Sequence, residues 1–248
     1  MMKKKLETKF KRIETKYLVD RHQLEAILTE FEQHLVEDEY PRSTISNIYF
    51  DTPDYRMIQD SAERLWKREK IRMRTYDRYP TADSQVFLEI KKKDMGIGLK
   101  DRLTSRPESV LNYVVHSVAD DSISNEELKA TMLELRQRYG TIQPMMYIYY
   151  DRYSLKGIED RKVRVTIDQN ILYRHYDVDL FAGKYGYPLL DDNQVIMEIK
   201  VPEVYPDWLQ EIIDKYGLTR VSFSKYGTAH TKLMENQEEM ISFERAIV

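Results

Sequence analysis

From Lys70 to Tyr76 the chain alternates, with Lys70, Arg72, Arg74 and Tyr76 at one parity and Ile71, Met73 and Thr75 at the other. Side chains of a strand point to its two faces in turn, so this spacing predicts a strand with one charged and one mostly apolar face. The same division recurs at 87–93, where Phe87, Glu89, Lys91 and Lys93 share a side. It recurs again at 162–168, where Lys162, Arg164, Thr166 and Asp168 stand against Val163, Val165 and Ile167. A glutamate and a lysine two residues apart mark three strand-like segments: Glu14-Thr15-Lys16, Glu89-Ile90-Lys91 and Glu198-Ile199-Lys200. In the last two the neighbouring positions (Val86, Leu88, Ile90; Val195, Met197, Ile199, Val201) are apolar, which puts the hydrophobic side opposite the charges.

Between these strands the periodicity changes to that of helices. A strand over about 7–19 runs into Asp20 and Gln23, a capping box for a helix that carries Leu24, Ile27, Leu28, Phe31 and Leu35 on one side. Ile45–Asp51 reads as a short strand, followed by a brief helix near Tyr55–Ser61. Strands at 66–78 and 85–93 are joined by a polar turn. Ser105 with Glu108 and Ser124 with Glu127 predict two more capped helices, closed by Gly140, with Leu128, Met132, Leu133 and Leu135 as the buried stripe. Strand character returns at Met145–Leu155 and Val163–Tyr173, with Gly157 in the turn between them, and at Gln194–Val201 after a loop at 176–193. Pro206 opens an amphipathic helix bearing Trp208, Leu209, Ile212 and Ile213 and stopped by Gly217, and the stretch from Tyr226 onward is helical. No Pro- or Gly-rich linker interrupts the sequence, so residues 1–248 are expected to form one domain of about eight antiparallel strands with helices around them.

Composition narrows the chemistry. With 42% apolar residues the chain has enough for a core, and 39 basic against 42 acidic residues leave a net charge of −3, so no global field points to nucleic acid or a membrane surface. The absence of cysteine excludes disulfides, thiolate metal sites and cysteine nucleophiles. The basic start, Met1-Met2-Lys3-Lys4-Lys5, is not followed by an apolar stretch, and no run is long enough to span a bilayer, so a soluble cytoplasmic protein is expected. Gly96-Ile97-Gly98 lacks the third glycine of a dinucleotide loop, and no Gly-rich loop ends in Lys-Ser or Lys-Thr. The five histidines, His22, His34, His116, His175 and His230, show no metal-ligand spacing.

The charged strand faces remain. In an open sheet they would simply be wet, yet several strands repeat the arrangement and their apolar faces need burial. A barrel whose apolar faces meet helices and whose charged faces line a channel satisfies both demands, and a barrel of about eight strands can hold a small ligand. Buried cations need an anion or carboxylates to neutralise them. Glu14, Glu89, Asp168 and Glu198 supply oxygen ligands of the type that suits Mg²⁺ or Mn²⁺, ions that bridge phosphate oxygens.

The ordered set Glu14-x-Lys16-Tyr17, Tyr49-Phe50-Asp51, Arg72-x-Arg74, Glu89-x-Lys91, Lys100-x-Arg102, Tyr150-x-Arg152, Arg164 before Asp168, Glu198-x-Lys200 and Ser222-Phe223-Ser224-Lys225-Tyr226 resembles the VTC domain. That is the polyphosphate polymerase domain of the triphosphate tunnel metalloenzyme, or CYTH-like, superfamily. The resemblance spans about residues 10–232. It implies an α+β fold built on an antiparallel eight-stranded β-barrel, the triphosphate tunnel, with helices packed around it. It further implies a transferase that moves the γ-phosphate of ATP onto a growing inorganic polyphosphate chain, with Arg72, Arg74, Lys91, Arg152 and Arg164 catalytic. Lys16, Lys100, Arg102, Lys200, Ser224 and Lys225 would bind substrate, and Glu198, with Glu14, Glu89 and Asp168, would hold Mn²⁺ or Mg²⁺. The family often carries a further lysine where this chain has Ser222, for which Arg220 is the nearest substitute. A tunnel triphosphatase that hands phosphate to water would use nearly the same residues, whereas Glu14, Glu89 and Glu198 argue against the other alternative, a non-catalytic polyphosphate or nucleotide sensor, because a pure anion binder gains little from carboxylates beside its ligand. Expected partners are ATP and polyphosphate, with no nucleic acid and no direct membrane insertion, and by family analogy a membrane protein that receives the chain.

Overall fold

Every alternating segment becomes a strand in the computed structural model, which describes residues 13–95 and 97–247, with side chains as far as residue 237. The elements are β1 (Ile13–Asp20), α1 (Arg21–Phe31), β2 (Leu35–Asp51), α2 (Arg56–Ala62), β3 (Lys67–Thr75), β4 (Val86–Asp94), β5 (Ile97–Ser105), α3 (Pro107–His116), α4 (Glu126–Tyr139), β6 (Gln143–Gly157), β7 (Arg164–Arg174), β8 (Tyr187–Pro188), β9 (Gln194–Val201), α5 (Asp207–Lys215) and α6 (Lys225–Ile247). The strands form one sheet in the order β1-β9-β7-β6-β2-β3-β4-β5, with β8 paired to β7. The α+β antiparallel architecture is therefore as expected. Among the described residues, however, the path of paired strands has two ends, β1 and β5, in place of the closed ring of a strict barrel.

Several expectations shift. The part of the first strand before residue 13 lies outside the described residues. Leu35 opens β2 instead of extending α1, and β2 starts ten positions earlier than its apolar run, because backbone pairing carries it through the polar stretch around Pro41. β5 was not expected as a strand. Ser105 ends it and bonds Ser122 Oγ at 2.5 Å, so α3 begins without that cap, at Pro107. Asn125, not Ser124, caps α4 by accepting from the Leu128 amide at 3.0 Å. Leu133 is 57% exposed: the buried stripe runs through Leu128, Met132, Leu135 and Tyr139, and Leu133 is one residue round the helix from it. β7 starts at Arg164, so Lys162 lies in the preceding turn. In that turn a Cβ on Gly157 would come within 2.2 Å of the Asp160 carbonyl, which only glycine tolerates.

The chain divides into two compact units threaded by β2, β6 and β7. The first holds the described residues up to Ser43, Arg152–Gln169 and Leu190–Ser222; the second holds Thr44–Asp151, Asn170–Leu189 and the chain from Phe223. In the first unit the apolar faces of β1, β7 and β9 (Tyr17, Val19, Val165, Ile167, Val195, Met197, Ile199) pack against Ile27 and Phe31 of α1 and Leu209, Ile212 and Ile213 of α5. His34 stacks on Trp208 at 4.3 Å, an ordinary packing role for a histidine. In the second unit Ile71, Met73, Leu88, Ile90 and Leu103 pack against Val110 and Val114 of α3 and Leu128, Met132 and Leu135 of α4. Each such side chain contributes about 1.5–3 kcal/mol by leaving water. In both units the helices take the apolar strand faces, which leaves the charged faces on the other side.

Candidate functional site

In the second unit the register of β3, β4 and β5 arranges the charged face in rows. Lys70, Lys91 and Lys100 stand opposite one another, then Arg72, Glu89 and Arg102, then Arg74, Phe87 and Thr104. Glu89 is buried and is the focus: Arg72 reaches Oε2 from Nε at 2.7 Å and Nη2 at 2.6 Å, while Lys100 and Arg102 reach Oε1 at 2.5 and 3.5 Å. Burial alone would raise its pKa, but Arg72, Arg74 and Lys100 hold it at about 2. Arg74 is also buried, and its three hydrogen bonds go to neutral oxygens: Asn47 Oδ1 at 2.8 Å, Tyr150 at 2.9 Å and Tyr76 at 3.4 Å.

Other elements of this unit supply the support. Tyr49 on β2 accepts from Arg72 at 3.2 Å and stacks on Tyr226 of α6 at 4.6 Å. Burial opposes ionisation of Tyr49, yet Arg72, Arg74 and Lys225 lower its pKa to about 8. Asp51 accepts from the amides of Thr52, Met57 and Ile58 and, at 2.8 Å, from the Tyr226 hydroxyl, which ties β2 to the starts of α2 and α6. At that end of α6 Ser224 Oγ accepts from Lys70 at 3.0 Å, and the Lys225 ammonium lies 4.3 Å from the Tyr150 ring centroid.

The first unit has a different pattern. Antiparallel pairing of β1, β9 and β7 makes a chequerboard in which Glu14, Lys200 and Arg164 form one row and Lys16, Glu198 and Thr166 the next. Lys16 lies 3.0 Å from Glu14 and 3.5 Å from Glu198, and Lys200 bridges the same two carboxylates. Against the cost of burial, Lys200, Lys16 and Arg152 hold Glu198 at about 2, and Glu198 and Glu14 in turn raise Lys16. Arg152 grips both oxygens of fully buried Asp168, at 2.6 and 2.8 Å, and half-exposed Arg164 pairs with Asp38. Arg220, placed over the Tyr205 ring at 5.5 Å, and exposed Ser222 belong to this unit.

The four expected metal carboxylates thus keep different company. Among the described residues no group of three or more His, Asp or Glu side chains is placed to hold a metal, so they do not make one all-carboxylate centre. Asp168 and Glu89 are committed to arginines. Glu198 and Glu14 share Lys16 and Lys200, and Thr166, the cross-strand neighbour of Glu198, has a buried hydroxyl without a hydrogen-bond partner among the described residues. A carboxylate with a neighbouring hydroxyl offers oxygen ligands of the kind that suits a hard cation taking its remaining ligands from water and phosphate. Sequence reasoning gave no role to Asn47, Tyr49, Tyr150 or Lys70, although Asn47, Tyr49 and Asp51 alternate with Ile48 and Phe50, a signal of the same kind as the one at 70–76.

The sequence pattern of the VTC domain matches residues 11–234. No curated protein matches. Among solved structures the chain is similar to a candidate adenylate cyclase from Bacillus halodurans, at 14% identity and a TM-score of 0.52, covering 86% of this chain and 93% of that one. A candidate adenylate cyclase from Vibrio parahaemolyticus has 13% identity, 88% and 97% coverage and a TM-score of 0.46. The PH1819 protein from Pyrococcus horikoshii has 13% identity, 89% and 99% coverage and a TM-score of 0.45. Identities this low speak of fold alone, and the Bacillus structure agrees with the α+β architecture described above. No helix among the described residues is long and apolar enough to cross a membrane.

Proposed function

Because the chain belongs to the VTC domain family, we propose that it is a polyphosphate polymerase that transfers the γ-phosphate of ATP to a growing polyphosphate chain. One observation carries the reading: among the described residues of the second unit Arg72, Lys100 and Arg102 converge on the carboxylate of Glu89, and buried Arg74 stands in the next row. A partly buried surplus of cations, with Arg74 hydrogen-bonded to the neutral oxygens of Asn47, Tyr150 and Tyr76, is stabilised by a polyanion.

In this reading Arg72, Arg74 and Lys91, with Lys100 and Arg102, hold the triphosphate, and Ser224 and Lys225 bind phosphate at the start of α6. A terminal oxygen of the chain attacks the γ-phosphorus, the bond from that phosphorus to the bridging oxygen breaks, and ADP leaves with the electron pair. The attacking oxygen is already anionic, so the protein positions the reactants and neutralises charge without a covalent nucleophile. In the first unit Lys16 and Lys200 bind phosphate, with Arg152 and Arg164 as the cations held by Asp168 and Asp38. Glu198, with Glu14 and Thr166, would hold Mn²⁺ or Mg²⁺, which when bound neutralises phosphate oxygens. Glu89 and Asp168 are reassigned to orienting arginines.

Purified protein incubated with ATP and Mn²⁺ is expected to make long polyphosphate and ADP in step. A second reading, a triphosphatase, rests on Ser222 standing exposed where the family often has lysine. Free phosphate with ADP, and no polymer, would establish that alternative, and nucleotide binding without turnover would rule out both.

A further inference from the structure

Beyond Arg74 the charged face of the second unit turns aromatic. Phe87 occupies the Arg74 row, and Tyr76 follows on the same parity just past the end of β3. The two rings meet edge to face at 5.8 Å, and the Arg102 guanidinium lies over Phe87, 3.7 Å from its centroid. Arg74 sits 5.9 Å from the Tyr76 centroid and bonds its hydroxyl. Burial would raise the Tyr76 pKa, but Arg74 and Arg102 lower it, which marks both guanidiniums as close neighbours of the ring. Even so Tyr76 is 42% exposed and the Arg102 side chain 41%.

We propose that this aromatic end seats the base of a nucleoside triphosphate, so that its phosphates run from the Arg74 row toward the lysine row. The inference rests on the reading of those rows as a triphosphate site and adds the direction in which the nucleotide lies. Same-face residues step about 7 Å along a strand, short enough for one nucleotide to meet Tyr76 with its base and the Arg72 row with its phosphates. A tyrosine ring and a guanidinium plane both stack on bases. A ring serving only to cap Arg74 would gain nothing from such exposure. Stacking is blind to base identity and adds roughly five- to hundredfold in affinity per base. The site therefore favours nucleoside triphosphates as a class over bare tripolyphosphate.

Equilibrium binding of ATP, GTP and inorganic tripolyphosphate, each with Mg²⁺, to wild type, Tyr76→Ala and Tyr76→Phe separates the cases. Tyr76→Ala is expected to weaken ATP and GTP by about tenfold and tripolyphosphate by less than twofold, while Tyr76→Phe retains all three. An equal loss of all three ligands in Tyr76→Ala would mean that the ring only supports Arg74, and would overturn the base site while leaving the phosphate rows standing. If wild type binds none of the three, the phosphate site and the base site fall together. Tyr76→Trp gives a readout that does not depend on Tyr76→Ala folding: its fluorescence, over that of Trp66 and Trp208, should be quenched by ATP but not by tripolyphosphate. Equal quenching by both would also sink the proposal.

Discussion

Charge is arranged differently in the two units. In the first, Lys16, Lys200, Arg152 and Arg164 are each matched to an acid among Glu14, Glu198, Asp168 and Asp38. In the second, Arg72, Lys100 and Arg102 share Glu89, and Arg74 in the next row bonds the neutral oxygens of Asn47, Tyr150 and Tyr76. A surplus receives an anion at once, because its cations are under-neutralised before any ligand arrives. A balanced set must first give up its internal pairs. With Glu198 at about 2, protons cannot release Lys16 and Lys200 near neutral pH, so a cation that takes the carboxylates is the effective trigger. One unit is thus read as a standing phosphate receptor and the other as a conditional one.

The largest effects should come from the surplus. Arg74→Ala and Arg72→Ala are each expected to lower kcat/KM for ADP release by about 10³-fold, the range seen for a lost transition-state donor. Lys200→Ala should cost only about tenfold, because Lys16 still serves Glu198 and Glu14. Thermal unfolding should show the arginine variants folded, since Lys100 and Arg102 still neutralise Glu89. Equal losses in Lys200→Ala and Arg74→Ala would break the distinction between the units.

Next in size is a crossed pair of glutamate variants. Glu198→Gln is expected to weaken Mn²⁺ binding, followed by electron paramagnetic resonance, by 10–100-fold, and to leave metal-free tripolyphosphate binding intact. Glu89→Gln should leave Mn²⁺ affinity unchanged, but remove the partner of buried Arg72 at a stability loss of about 3–5 kcal/mol. The acid limb carries the same information. The depressed pKa of Glu89 lends stability that is fully present above the ordinary carboxylate range and lost as pH falls through about 2. Glu89→Gln should flatten that limb. If both variants lose Mn²⁺ alike, metal binding does not distinguish the two glutamates.

Tyr49 offers a smaller, pH-tuned test. Its phenol, held at about 8 by Arg72, Arg74 and Lys225, becomes a phenolate above that pH and competes with phosphate for the same arginines. Tripolyphosphate affinity should therefore fall a few-fold between pH 7 and 9, and Tyr49→Phe should abolish the decline. Native stability should move the opposite way: a folded pKa below the unfolded value of about 10 means stability gained as pH rises from about 8 to 10. A wild-type affinity flat across that window would remove Tyr49 from the site.

Alternation alone put the charged residues of each strand on one face. Arg72 with Arg74, Glu89 with Lys91 and Glu198 with Lys200 share faces because parity is a local property, and β9 matches its expected bounds, Gln194–Val201, for the same reason. What parity cannot give is register. That Lys16 faces Glu198, or that Lys100 and Arg102 converge on Glu89, depends on which strands pair and at what offset. The first half of β2 and all of β5 were invisible as strands because Pro41, Gly98 and charges at both parities erase the apolar alternation, and only backbone pairing restores them. The resemblance to the VTC domain supplied the family. The division of the acids, with Asp168 and Glu89 on arginines and Glu14 and Glu198 between lysines, came from geometry.

Thr166 sharpens the contrast with the smallest change. Its hydroxyl, in the same row as Glu198, is buried without a partner among the described residues, and an unsatisfied buried hydroxyl costs about 1–3 kcal/mol. A group of that kind held only for packing would be better replaced by a methyl, so Thr166→Val should leave the metal-free protein as stable or raise its melting temperature by a few degrees. If instead the hydroxyl adds an oxygen donor beside Glu198, the same variant should bind Mn²⁺ a few-fold more weakly. A stability gained together with a cation affinity lost means that the first unit is strained toward a ligand it holds only part of the time. A variant that is less stable and binds Mn²⁺ normally would make Thr166 ordinary packing, and would leave Glu198 and Glu14 as a lysine-pairing device alone.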